Sequence, residues 1–336
     1  MNILFTCAGR RTYLLKYFKE NMLPEDKVVA TDMQLSAPAL QVADVKLQVP
    51  AVYDPMYIGI TLDICKEQHI DALISLNDLE LPILAEQKSR FEELGTKVIV
   101  ADPQVIDICF DKYKTALWVT KLGLNVPKTY IRLADAKAAL ASGKISFPLF
   151  LKPRWGSGSI GLETVENMEK LDIVYSLLFM KIKKTILATA SVGDEYIMIQ
   201  EKLAGKEYGL DVMNDLEGNN VAVSVKQKLA MRAGETDKAI TVDLPDVLEM
   251  GEIIGRNLKH IGNLDVDIMQ RANGDYCVLE LNPRFGGGFP FSYEAGVNLP
   301  KAIMMWLRGE KVDASMLKPK YGKMFAKNDY LMEIKA

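Results

Sequence analysis

Along the first third of the chain, short apolar runs at residues 3–6, 28–31, 72–76 and 98–101 alternate with stretches at 12–21, 57–69 and 79–94 whose apolar positions recur every three to four residues. Apolar runs that do not alternate with polar residues predict strands covered on both faces, and helices between them predict a parallel sheet. Gly95 closes the third helix at a C-cap position. From Asp111 the rhythm changes. Helices are expected at 113–122 and 134–142, then a strand at 147–152, a glycine-rich loop, a return strand at 162–165 and a helix at 167–178. Mostly long strands follow at 196–202, 207–213, 220–229 and 239–242. A helix at 246–260, capped by Asp243 or Asp246, comes before a last hairpin and a helix at 299–308. An α/β amino-terminal unit followed by two α+β pieces is the plan, with no internal repeat or low-complexity segment.

Composition narrows the class. The 336 residues are 49% hydrophobic and 25% charged, and 41 Lys plus Arg stand against 44 Asp plus Glu, a formal net charge of −3. This is an ordinary globular composition for two or three domains, with no block of like charge to suggest a nucleic-acid or membrane-surface partner. The four cysteines, Cys7, Cys65, Cys109 and Cys277, form no CxxC pair and read as small buried hydrophobes. The opening strand-like run lacks the basic region and cleavage site of a secretion signal, so a reducing, cytoplasmic compartment is expected. The two histidines, His69 and His260, both fall on expected helices, which disfavours a Ser-His or Cys-His relay.

The amino-terminal unit is Rossmann-like, but its first strand-to-helix turn, Cys7-Ala8-Gly9-Arg10-Arg11, holds one glycine where a dinucleotide fingerprint has three. A second glycine loop lies at Phe147 to Gly161, FPLFLKPRWGSGSIG, where a buried strand delivers Lys152 into a loop containing Gly156, Ser157, Gly158, Ser159 and Gly161. The string matches GxGxxG, yet Leu162 to Val165 reads as a return strand rather than as the helix that a dinucleotide site opens. There is also no GxxxxGK[ST]. A hairpin flap whose backbone N–H groups cover phosphate, with a lysine at its base, fits better.

The stretch 265–282 is the most informative. Asn273-Gly274 between two apolar runs predicts a two-residue turn with Ala272 facing Asp275, which pairs Ile268 with Leu279, Asp267 with Glu280 and Asp265 with Asn282. Period-two alternation places Asp265, Asp267, Glu280 and Asn282 on one face. Carboxylates directly opposite each other repel unless something neutralises them, and a hard divalent cation shared with phosphates would do so.

Together these pieces resemble the ATP-grasp superfamily, in its carbamoyl-phosphate synthetase, biotin carboxylase and L-amino acid ligase branch, in order from about Asp111 to Gly288. The resemblance implies a Rossmann-like pre-ATP-grasp domain at 1–105 followed by a two-lobed ATP-grasp fold, with the phosphate loop in 106–195 and the metal site in 196–336. It makes Lys112 and Lys152 phosphate contacts and 156–161 the phosphate loop. Glu201, Lys202 and Leu203 become the hinge that receives adenine, and Glu207 the ribose contact. Asp267, Glu280 and Asn282 become magnesium ligands, with manganese as the alternative ion, and Arg284 meets the transferred phosphoryl group. Many relatives carry glutamine or glutamate where Asp267 stands. Arg10, Arg11, Asn77, Asp78, Glu80, Arg232 and Glu235 fall on the substrate side.

The implied activity is an ADP-forming carboxylate–amine or carboxylate–thiol ligase working through an acyl phosphate, with small-molecule substrates, no nucleic acid and no membrane partner. Three alternatives stay open: a carbamoyl-phosphate-synthetase-like or a biotin-carboxylase-like enzyme acting on bicarbonate, and a nucleotide-binding regulatory module. A homodimer is also left open.

Overall fold

A computed structural model of the protein describes residues 1–156, 161–185, 195–329 and 331–334. The first unit runs β1 (Asn2–Thr6), α1 (Thr12–Lys19), β2 (Lys27–Asp32), β3 (Val45–Gln48), α2 (Tyr57–Glu67), β4 (Ala72–Ser75), α3 (Leu81–Glu92) and β5 (Lys97–Val98). Its five strands form a parallel sheet in the order β3-β2-β1-β4-β5. Both faces are covered, which is why the strands read as unbroken apolar runs. Ile3 and Phe5 of β1 pack on one side, with α1 and residues of the carboxy-terminal helices such as Leu299 and Ile303, whereas Leu4 packs on the other with Tyr57, Leu81 and Phe91. Strand β3 was not foreseen, because its residues are only half-buried and its run is interrupted by Lys46. The expected strand at 98–101 shrinks to a two-residue pairing at its start.

The chain continues through α4 (Pro103–Phe110), α5 (Lys112–Lys121), β6 (Thr129–Tyr130), α6 (Leu133–Ala141), β7 (Leu149–Pro153), β8 (Glu163–Val165), α7 (Met168–Ile182) and β9 (Ile197–Glu201). These strands make a four-stranded antiparallel sheet in the order β6-β9-β7-β8, with α6 and α7 against it. The strand at 197–201 therefore hydrogen-bonds into the smaller sheet, ahead of which the sequence placed a border at 195/196. Helix α4 was also unforeseen, although Asp102-Pro103 is a helix-start pair.

The last part comprises β10 (Glu207–Asn214), β11 (Asn220–Arg232), β12 (Glu235–Thr241), α8 (Pro245–Leu258), β13 (Gly262–Gln270), β14 (Tyr276–Asn282), α9 (Phe289–Glu294), α10 (Leu299–Leu307) and β15 (Met324–Ala326). Its six-stranded sheet has the order β14-β13-β10-β11-β12-β15. One face is apolar, built from Tyr208, Leu210, Val212, Val223, Val225, Leu264, Val266 and Ile268 under α8 and α5. By alternation the other face is polar, and it is the one that matters below. Helix α8 corrects one expectation: neither Asp243 nor Asp246 caps it. Leu244 occupies the N-cap without a side-chain bond; Pro245 after it supplies helical φ and removes one of the first-turn N–H groups that would otherwise go unpaired.

The β13–β14 hairpin corrects another. Arg271 N–H bonds to Asp275 O and Gly274 N–H to Arg271 O, so the loop has three central residues, with Gly274 at φ +96°. The pairing is consequently Ile268 with Val278, not with Leu279. A bulge at Leu279 then absorbs one residue and restores Asp267 opposite Glu280 and Asp265 opposite Asn282. The expected register at the site is right; the expected turn is not.

Among the described residues no helix is long and apolar enough to cross a membrane. All four cysteines are free; Cys65, Cys109 and Cys277 are buried, while Cys7 is only partly so.

Candidate active site

The polar face of the six-stranded sheet carries two charged clusters. In the first, Lys226 Nζ lies 2.6 Å from Asp211 Oδ2, with both side chains fully buried. Ser292 Oγ donates to the same carboxylate at 2.5 Å and Asn263 Nδ2 to its other oxygen at 3.0 Å. One strand position further along, Lys228 Nζ bonds both Asp267 at 2.6 Å and Glu207 at 2.8 Å. Gly209 lies opposite Asp267 on β10. A Cβ at Gly209 would come within 3.3 Å of Lys228 Cε and 3.4 Å of Lys226 Cε, so glycine leaves room for both lysines.

Around this second cluster the expected phosphate and metal residues converge. Lys112 Nζ is 3.5 Å from Glu280 and donates to the carbonyl of Gly156. Arg284 bridges Asp78, at 2.9 Å, and Asp265, at 3.1 Å, while its Nε is buried with no partner among the described residues. A narrow cavity lined by Asp78, Lys112, Gly156 and Asn282 lies between these groups. Lys152, at the end of β7 and 6% exposed, differs from its neighbours: among the described residues no carboxylate forms an ion pair with it. Burial, with Lys112 nearby, pulls its ammonium down to about 8 against the opposing pull of Glu280 and Asp267. Its charge is available to a ligand.

The carboxylates divide in the same way. Burial drives Asp267 up to about 7; Asp265, Glu280 and Glu207 add to this, and Lys228 resists it. Burial also pushes Glu280 up, but Lys112 and Lys152 outweigh it and hold that carboxyl below the usual glutamate range. Desolvation opposes the charge on Arg284, yet Asp78 and Asp265 keep it firmly cationic. No three His, Cys, Asp or Glu side chains among the described residues form a ready metal cage. Two carboxylates and an amide oxygen, from Asp267, Glu280 and Asn282, are instead the hard oxygen donors suited to an ion that brings further ligands on a phosphate.

Local structure explains these positions. Asp111 caps α5 by accepting from Tyr113 N at 3.0 Å and Lys114 N at 3.3 Å, which fixes Lys112 at the first helical position. Arg154 grips Asp111 through Nε and Nη2, each at 2.8 Å, and so ties the start of α5 to the end of β7 and brings Lys112 near Lys152. At the glycine loop Gly156 has φ +96° and Gly161 φ +72°; a Cβ on Gly161 would sit 2.9 Å from Leu178. The expected contacts Ser157, Gly158 and Ser159 lie outside the described residues.

At the expected hinge, Glu201 accepts from Arg271 Nη2 at 2.5 Å and from Lys128 N at 2.8 Å, so its side chain fastens the end of β9 to the β13–β14 loop. Lys202 is exposed, with Nζ 3.3 Å from Thr164, and Leu203 is half-buried. The substrate-side residues scatter. Arg11 donates to the carbonyl of Phe285, Glu235 lies against Gly287, and Arg10 is exposed. Asn77 caps the turn into Leu79. Glu80 is fully buried, its oxygens accepting from Thr6, Ser75 and Tyr57 at 2.6–2.8 Å, which makes it a brace between β1, β4 and α2 rather than an open contact. Arg232 is half-exposed and pairs with Asp237 and Asp329. Sequence reasoning missed Lys228, Arg154 and Asp265's partnership with Arg284. Two lysines at alternate positions of β11 were the available signal for the first.

Residues 3–99 match the model of the PylC-like N-terminal domain. Residues 194–327 match that of an ATP-grasp in the biosynthetic pathway with Ter operon. Residues 194–327 are thus those of an ATP-grasp domain. A curated relative, the carbamoyl phosphate synthase large chain of Campylobacter jejuni, is 26% identical over 230 residues, 65% of this chain and 20% of the relative. The chain thus spans about a fifth of that relative's length. Among solved structures, the biotin carboxylase domain dimer of Hydrogenobacter thermophilus 2-oxoglutarate carboxylase, in complex with MgADP and bicarbonate, superposes with a TM-score of 0.73 at 18% identity, covering 93% of this chain and 70% of that one. The L-amino acid ligase of Bacillus licheniformis gives 0.72 at 18%, covering 96% and 78%. These likenesses bear out the two-lobed ATP-grasp fold behind a parallel-sheet domain.

Proposed function

We propose that the ATP-grasp chain is an ADP-forming ligase that uses magnesium-ATP to convert a substrate carboxylate into an acyl phosphate, which an amine then attacks. The carrying observation is the convergence of Lys112, Lys152, Glu280, Asp267, Asn282 and Arg284 between the sheets, with Lys152 unpaired. In this reading Lys112 and Lys152 offset phosphate charge, and the loop 156–161 covers the phosphates and excludes water. The Glu201 to Leu203 backbone meets adenine and Glu207 the ribose. Asp267, Glu280 and Asn282 would hold magnesium, which when bound neutralises phosphate charge. Arg284 then turns from Asp78 and Asp265 toward the transferred phosphoryl group, giving its unpartnered Nε an acceptor. The set supplies charge stabilisation and positioning and no side-chain nucleophile, as phosphoryl transfer to a substrate oxygen requires. Residues 1–105 border the substrate side, 106–195 carry the phosphate loop and 196–336 the metal face.

Hydroxylamine provides the test. With ATP, magnesium and the correct acid, it should capture the activated carboxylate as a hydroxamate in step with ADP release. ADP formation that ignores every acid offered would refute the acyl-phosphate step. Bicarbonate as the sole effective acid would move the reading to the carboxylating alternative, which the match to carbamoyl phosphate synthase favours.

A further inference from the structure

Helix α7 packs on the four-stranded sheet through Leu171, Leu178 and Ile182. On the opposite side it presents Ile173, Leu177 and Met180, which are 54%, 49% and 53% exposed. These positions, spaced by four and three, form one continuous stripe. A shallow hollow beside it is lined by Tyr175, Ser176, Phe179 and Met180. Scattered exposed apolar residues need no account, but a stripe along one helix face marks a contact surface.

The charges along the same stripe identify the occupant. Its amino-terminal end carries Glu166 and Glu169, and its carboxy-terminal end Lys183 and Lys184. The order acid, apolar, base is self-complementary when two such helices run antiparallel. Glu169 and Lys184 stand symmetrically about the point between Ser176 and Leu177, and so do Ile173 and Met180. A two-fold axis there places each Glu169 against the partner's Lys184 and each Ile173 against the partner's Met180, the isologous arrangement of a cyclic dimer. The same axis sets Lys181 against the partner's Asp172, and the one meeting of like charges, Lys170 with Lys183, is eased by Glu166, 2.6 Å from Lys170. Opposed helix dipoles favour the same orientation.

We infer that α7 is a self-association surface on which a second copy of this chain docks antiparallel about Ser176 and Leu177. The inference does not depend on the ligase reading. One helix pair is a small interface, so the dimer forms at roughly micromolar concentration rather than being permanent.

Sedimentation of the full chain over a concentration series should show monomer giving way to dimer. Leu177→Lys should weaken association at least about tenfold, because it places a charge in the middle of the seam. Glu169→Lys alone should weaken it about threefold to tenfold through two symmetric repulsions, and Glu169→Lys with Lys184→Glu should restore it, since each reversed residue again meets its opposite. In a Cys7→Ser background, Leu177→Cys should cross-link two copies under mild oxidation. A chain that stays monomeric up to about 100 μM refutes the proposal. So does a dimer that ignores Leu177→Lys, or a charge reversal that the second reversal fails to rescue. If Leu177→Lys instead lowers the melting temperature with no change in mass, the stripe is covered within the same chain and the docking surface is lost.

Discussion

Two lysines two residues apart on β11 meet opposite fates. Lys226 and Asp211 form a one-to-one pair with no exposure, and Ser292 and Asn263 complete the carboxylate's hydrogen bonds. Lys228 faces two carboxylates, Asp267 and Glu207, which are 19% and 28% exposed, with Glu280 beyond. A buried pair survives only when each charge is matched and each lone pair used, and the first cluster meets that condition. The second gives Lys228 two acids and leaves Lys152 with none among the described residues, and it stays open to solvent on one side. Evenly matched and closed reads as structure; unevenly matched and open reads as a place where a cation and a polyanion complete the balance.

The comparison breaks most readily at Lys226. Lys226→Ala strands the Asp211 carboxylate in a dry interior, and chemical denaturation should register a loss of about 3–5 kcal/mol, with nucleotide affinity changed only as far as the fold is. A loss under about 1 kcal/mol would show that water reaches Asp211 and that the two clusters are alike. At the open cluster the opposite pattern is expected. Glu280→Gln should reduce ADP formation by about a hundredfold or more, as removing a metal contact costs several kcal/mol at the transition state. The melting temperature of the free protein should fall by no more than a few degrees, because Lys112 and Lys152 lose the carboxylate they hold ionised while the crowding around Asp267 eases.

Acidity sharpens the contrast. Asp267 is pushed up to about 7 in the fold from an ordinary 3.8, chiefly by burial. A raised folded pKa means that the folded chain holds a proton the unfolded chain has released. The stabilisation is thus complete below pH 4 and is lost as pH rises through 7. Asp267→Asn, which cannot ionise, should narrow this loss, so the melting temperatures of variant and parent should diverge by a few degrees between pH 5 and 8, with the variant higher at pH 8. Parallel curves would mean that Lys228 keeps Asp267 ionised throughout.

How much of this was legible in the chain depends on the range of the cause. Alternation and the spacing of Asp265, Asp267, Glu280 and Asn282 are local, so their shared face and pairing were readable even though the turn was misjudged. The three-residue loop and the bulge at Leu279 are equal and opposite errors of register, and only the fold reveals both. Lys152 was readable as the end of a buried strand, but its lack of a partner was not, because that depends on Lys112 and Lys228 having claimed the neighbouring acids. Glu80 shows the reverse failure. Asn77-Asp78-Leu79-Glu80 at a strand end suggests an open binding loop, yet three hydroxyls from separate elements enclose the glutamate. Long-range pairing decides these cases, and no window of sequence contains it.

The smallest expected effect lies farthest from both clusters. Arg232 sits at the tip of the β11–β12 hairpin, opposite Glu235, with Ala233 at φ +49° and Gly234 at φ +79° making the tight turn. Its side chain is 49% exposed and pairs with Asp237 and Asp329, the kind of solvent-facing ion pair that contributes about 1 kcal/mol or less. Arg232→Ala should therefore move the melting temperature by no more than about 2–4 °C. Glu235, across the turn, lies against Gly287, which sets the tip beside the candidate site even though Arg232 contacts none of the described phosphate residues. If Arg232 holds a substrate carboxylate, KM for that substrate rises about tenfold or more while kcat and KM for ATP stay near their parent values, the pattern of an interaction made equally in ground and transition states. Unchanged kinetics with the same small thermal shift would make Arg232 a surface pair like any other and remove it from the substrate side.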